Sequence, residues 1–252
     1  MPVTEQQLSI SLPDGNSDAY LYSTPGERRP GVIFLTDIGG LRDAERKSAG
    51  RLAEEGYTVL MPNIFYRTGR PPVIAYPLEP GSEAAKKRMG ELTAPLTPDA
   101  VARDASGYVD FLASRPEVSE APLGVVGYCY SGAFSMRIAA ACPEKIAAVA
   151  SFHAGRLFTD SPDSPHLLLP RIKAQLYFGH AVQDKTMPAE VIVKFEEALR
   201  ASGGKFESET YDGAYHSWTT LDSPVYNQSQ AERAFGKLTE LLAQTLKSGA
   251  RK

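Results

Sequence analysis

Cysteine is scarce in this chain: two stand in 252 residues, Cys129 and Cys142. Two thiols build no disulfide framework, and their spacing fits no metal-ligand pattern. The four histidines form no HExxH, and neither a paired CxxC nor a P-loop occurs, so no metal or nucleotide cofactor is expected. No apolar run approaches the roughly 20 residues of a membrane span, and the opening "MPVTEQQLSI" lacks the basic-then-apolar pattern of a signal peptide. These absences lead to an expectation of a cytoplasmic protein with reduced thiols and no membrane partner. The formal net charge of -3 leaves no basic stripe, which argues against nucleic acid as a partner. What is there is ordinary for a globular chain, with 42% hydrophobic and 23% charged residues. The length suits a single domain, 1–252, with a full core, and leaves monomer or homodimer open.

Hydrophobic patterning divides the chain into alternating elements. "QQLSISL" (6–12) and "AYLYS" (19–23) alternate around the turn signal "PDGN" and read as an N-terminal hairpin. "PGVIFLTD" (30–37), "YTVLMP" (57–62), "PLGVVGY" (122–128), "IAAVASF" (146–152) and "AQLYFG" (174–179) are continuous apolar runs, the mark of strands buried on both faces. "KFESETY" (205–211) adds a strand of alternating type. Helical spacing falls between them: Leu41, Ala44, Ser48 and Leu52, then Val101, Ala105, Tyr108 and Leu112 after a Thr97–Pro98 start. Further helices are expected over 131–142, over 188–202 and at the C-terminus, where Ala231, Phe235, Leu238, Leu242 and Leu246 mark the buried stripe. Residues 63–97 are proline-rich with one helical patch, "SEAAKKRMG", and read as a lid or pocket insert. "TDSPDSPHLLLP" (159–170) reads as a loop, and 248–252 as a polar tail. Strand–helix alternation over nearly the whole chain predicts an α/β fold, a mostly parallel sheet covered by helices on both faces. In such sheets ligands gather at the carboxyl ends of the strands.

One stretch carries chemistry. "VVGYCYSGAF" (125–134) runs from strand through turn to helix with Cys129 at the apex. A nucleophile held on such a turn needs small residues two positions away on either side, so that strand and helix can approach. Gly127 and Ser131 meet that need for Cys129; centring the turn on Ser131 would put Cys129 and Ala133 there and start the bend inside the helix. A thiol at a helix N-terminus is favoured as thiolate, yet near neutrality it needs a base. In this architecture the order along the chain is nucleophile, acid, histidine. Asp184 in "GHAVQDKTMP" and His216 in "DGAYHSW" follow in that order, each just after a predicted strand. Cys129, Asp184 and His216 form the expected triad. His153, at the end of "IAAVASF", is expected to line the pocket.

"GYCYSG", "QDKTMP", "YDGAYHSW" and "TDIGG" together resemble the dienelactone hydrolase family of α/β-hydrolases, over residues 8 to 246. The resemblance implies an α/β-hydrolase fold and hydrolysis of carboxylic esters or lactones, a small-molecule substrate, through a thioacyl enzyme. It implies Cys129 as nucleophile, His216 as general base and acid, and Asp184 as orienter of the imidazole. It places the oxyanion hole at the backbone N–H groups of Tyr130 and Ile38. Where dienelactone members carry a glutamate that holds the resting thiol, this chain has Asp37. Where they carry an arginine soon after the histidine, "SWTTLDSPVYN" has none, and the next is Arg233. Phe65, Tyr66, Trp218 and, as a cation, Arg67 or alternatively Arg70 are the remaining expected pocket residues. Three rivals stand beside this reading: a thioesterase or general esterase on the same triad, a non-enzymatic ligand-binding or redox-sensing protein with a reactive thiol, and a serine hydrolase using Ser131.

Overall fold

The computed structural model describes residues 1–74 and 81–247. Pro77 and Pro80 of the insert and the polar tail 248–252 lie outside the described residues. Among the described residues eight strands form one sheet: β1 (Thr4–Leu12), β2 (Gly15–Ser23), β3 (Gly31–Leu35), β4 (Thr58–Pro62), β5 (Leu123–Tyr128), β6 (Ile146–Phe152), β7 (Gln175–Ala181) and β8 (Phe206–Tyr211). Their order across the sheet is β1-β2-β4-β3-β5-β6-β7-β8. The first two pair as an antiparallel hairpin, and β2 lies antiparallel to β4. From β4 to β8 every neighbouring pair is parallel.

The sequence explains this division. β3 (GVIFL) and β4 (TVLMP) are buried at every position, as strands with both faces covered must be. β1 lies at the rim and buries only the alternate residues near its end. Helices cover the two faces: α1 (Asp43–Glu54) and α6 (Gln228–Leu242) on one, α2 (Glu83–Thr93), α3 (Pro98–Ala113), α4 (Gly132–Ala141) and α5 (Ala189–Ser202) on the other. Thr97 caps α3 by accepting the Ala100 N–H, with Pro98 in the first turn as expected. Gly203 ends α5 in the left-handed region at φ 71°. One expectation fails: 159–170 is not a plain loop, because Pro165–Arg171 winds into 3₁₀ turns.

The chain reverses direction of growth at β3, with β4 on one side and β5 on the other. The loops leaving β3 and β5 therefore part and open a crevice at the carboxyl edge of the sheet. Ile38 and Cys129 sit on those two loops.

Candidate active site

β5 ends at Tyr128, a single 3₁₀ turn covers Cys129–Ser131, and α4 starts at Gly132. Cys129 has φ 54°, the left-handed region that L-residues seldom adopt and that costs on the order of 1–3 kcal/mol. All five non-glycine residues with positive φ among the described residues, Cys129, His153, Arg156, Gln183 and Ser217, lie on loops after β5 to β8. Strain is thus gathered at one rim of the sheet.

Three neighbours hold the bend. A Cβ on Gly127 would stand 2.4 Å from the Ser131 carbonyl oxygen, so only glycine lets strand and turn approach this closely. The Ser131 hydroxyl donates to the Leu35 carbonyl at 2.9 Å and accepts the Tyr128 N–H at 3.1 Å. Ser131 is fully buried in that bracing role, which leaves it no access to a substrate. The Cys129 N–H donates to His153 Nδ1 at 3.1 Å.

The sulfur meets the expected partners. His216 Nε2 lies 3.1 Å from Cys129 Sγ, and His216 Nδ1 lies 2.6 Å from Asp184 Oδ2. The other carboxylate oxygen of Asp184 accepts from the Thr186 N–H at 2.8 Å and hydroxyl at 2.6 Å. Burial works to raise the Asp184 pKa, but the bonds from His216 and Thr186 outweigh it and bring it to about 2. Burial likewise works to lower the His216 pKa, and the bonds to Asp184 and Cys129 outweigh it, raising it to about 10. Asp184 is therefore an anion across the physiological range, fixing the tautomer and plane of an imidazole that bears a proton readily. The Ile38 N–H group finds no protein acceptor among the described residues.

Asp37 does not hold the thiol. Its two oxygens accept from Arg42 at 2.6 and 2.8 Å, and Oδ1 also accepts the Gly39 N–H at 2.8 Å. The shorter carboxylate turns back into its own loop, where a bidentate guanidinium is the stronger partner. The same Arg42 bonds Asp222 at 2.8 and 3.0 Å and so ties the Ile38 loop to the loop that follows His216.

The expected pocket residues are placed elsewhere. Phe65 and Trp218 are fully buried and serve packing, Trp218 stacked on Tyr211 at 4.9 Å between ring centroids. Tyr66 donates to Asp104 at 2.8 Å, and Arg67 is bound to Asp104 and Asp14, so its charge is already matched. His153 is 1% exposed and lies beneath the turn rather than in an open pocket. With Nδ1 accepting from Cys129, its Nε2 is left to donate to the Thr219 hydroxyl at 2.7 Å. Burial, with the His216 charge second, pushes its pKa well below the ordinary value, so it stays neutral. Arg42, Thr186 and Thr219 went unnoticed in the sequence. Arg42 follows "TDIGG" and Thr186 stands two residues past Asp184, a spacing that suits an Asx turn; Thr219 carried no signal.

The family model for dienelactone hydrolases matches residues 17–246. The carboxymethylenebutenolidase of Rhodococcus opacus is 29% identical over 188 residues, covering 74% of this chain and 69% of that one. Among solved structures, a dienelactone hydrolase-like promiscuous phosphotriesterase from metagenomic libraries superposes with a TM-score of 0.76 at 19% identity, covering 98% of this chain and all of that one. The dienelactone hydrolase of Anabaena variabilis gives a TM-score of 0.69 at 20% identity over 98% of this chain and 100% of that one. At such identities the structural likeness bears on fold.

Proposed function

The chain belongs to the dienelactone hydrolase family, and from that premise we propose that it hydrolyses carboxylic esters or lactones through a thioacyl intermediate on Cys129. The observation that carries the reading is the line Cys129 Sγ–His216–Asp184, with spacings of 3.1 and 2.6 Å. Proton transfer needs direct or single-water reach, and these distances supply direct reach.

The thiol gives its proton to His216 Nε2, and the sulfur attacks the substrate carbonyl carbon. The carbonyl oxygen takes the negative charge and is met by the N–H groups of Tyr130 and Ile38; one such donor is worth roughly 3–4 kcal/mol. The C–O bond to the leaving group then breaks, and the proton on His216 passes to the departing oxygen. Acylation removes the sulfur's negative charge, and with it part of what holds a proton on His216. The neutral imidazole takes a proton from water, the hydroxide adds to the thioester, and collapse returns the thiol and a carboxylic acid. His153 stays neutral throughout and acts on the chemistry only by fixing the Cys129 backbone.

The test is to trap a labelled acyl group and find its attachment by mass spectrometry. Label on Cys129, with turnover lowered at least ~10²-fold in Cys129→Ala, is the expected result. Label on Ser131, or turnover undiminished in Cys129→Ala, would sink the reading.

A further inference from the structure

A cavity of about 190 Å³ lies behind the nucleophile turn, between the sheet and helices α1 and α6. It is on the face opposite α4 and contains none of the triad. Phe34, Tyr128 and Phe152 form its floor; the Tyr128 ring sits 5.0 Å from that of Phe34 and 5.6 Å from that of Phe152. Leu52 and Leu238 close it from the two helices. An apolar protein cavity of about 150 Å³ accepts benzene, so this volume holds one substituted ring.

The polar groups narrow the choice of ligand. Tyr128 lines the cavity, and burial, the chief cause, keeps its phenol protonated at any ordinary pH. Glu45 also lines the cavity and is 4% exposed. Burial first, and the charge of Asp37 second, push its carboxyl well above the usual range, and its Oε1 lies 3.4 Å from Arg42 Nη1. The one carboxyl among the lining residues is thus faced by a guanidinium, which offsets its charge toward an incoming anion. At the helix α1 side, Arg51 is already bound to Glu232 and lies over the Phe235 ring. Lys47 lines the same cavity, is exposed, and enters no ion pair among the described residues.

We propose that this cavity is a second binding site, for a small aromatic carboxylate. The ring lies on the Phe34–Tyr128–Phe152 floor, and the carboxylate faces Lys47. A neutral ring of equal size gains the same floor but nothing from Lys47.

Benzoate is the probe, titrated into protein whose Cys129 has been alkylated with iodoacetamide. Trp218 is the one tryptophan of the chain and the neighbour of Thr219, which lines the cavity, so its fluorescence reports binding. The expected result is a saturable change that benzyl alcohol reproduces at least threefold more weakly. Ala234→Phe, which fills the cavity, weakens benzoate at least tenfold, and Lys47→Glu, at an exposed position that folding does not depend on, at least threefold. Crystals soaked in 4-bromobenzoate give an anomalous bromine peak between Tyr128 and Leu238; this reading stands even if Ala234→Phe fails to fold. Absence of saturable binding, unchanged affinity in either folded variant, or bromine elsewhere only, overturns the proposal. The readout is binding rather than turnover, so its failure is separable from failure of the hydrolase reading.

Discussion

Gly127→Ala is the sharpest perturbation of the catalytic turn. The added methyl would begin 2.4 Å from the Ser131 carbonyl oxygen and 2.9 Å from its carbonyl carbon. Both are backbone atoms, so no side-chain rotation relieves the clash. Ordinary contact needs about 3.4 Å, so the turn must retreat from the strand by roughly 1 Å, and a misplacement of that size costs ~10² in rate. The sulfur rides on the segment that moves, whereas His216 is held by Asp184 on a separate loop. The 3.1 Å gap between sulfur and imidazole should therefore widen to the point where direct transfer fails. A ~10²-fold fall in kcat/KM corresponds to about 2.7 kcal/mol of lost transition-state stabilisation. Hydrolysis of p-nitrophenyl acetate measures it, with a thermal melt to confirm that the variant remains folded. A folded variant within threefold of the parent would refute the claim that close strand–turn approach positions the sulfur.

Other outcomes follow from the same geometry. The carboxyl of Asp184 is depressed from 3.8 to about 2, so it adds stability that is complete above roughly pH 4 and disappears as pH falls through 2. Melting temperatures between pH 6 and pH 2 should show this slope, and Asp184→Asn should flatten it while lowering turnover by ~10³ or more. Thr219→Val strands the buried Nε2–H of His153 and should cost about 1–3 kcal/mol in chemical denaturation, with Thr219→Ser restoring most of it. Arg42→Gln leaves Asp37 and Glu45 buried without their guanidinium and should destabilise by about 3–5 kcal/mol; a variant as stable as the parent would mean that the network carries no weight.

Much of this was legible in the amino acids because it rests on short-range rules. Continuous apolar runs at 31–35 and 58–62 mark strands covered on both faces, and the helix between them follows from 3.6-residue spacing. The turn at Cys129 could be read because glycine at 127 and a small residue at 131 are needed on steric grounds, whatever the rest of the fold does. What escaped depends on contacts made across the fold. Arg42 meets Asp222, 180 positions away, and nothing in local sequence announces that meeting or the capture of Asp37. His153 ends a strand as foreseen, yet whether its ring faces substrate or backbone is decided by the neighbouring loop that brings Thr219 within 2.7 Å. Phe65 and Trp218 are expected in the pocket, but large apolar rings in loops are as readily drawn into the core.

The forces that curl the chain at residue 129 act on its main chain and never touch the atom at the tip of its side chain. A bare α-carbon at 127, a buried hydroxyl at 131 and a ring nitrogen from the next strand do the shaping. Cys129→Ser would accordingly travel the same curve and point an oxygen where sulfur stood. The fold is a mount with an interchangeable tool: two kinds of nucleophile can be compared on it with aim and surroundings held constant, and any difference in rate belongs to the element alone.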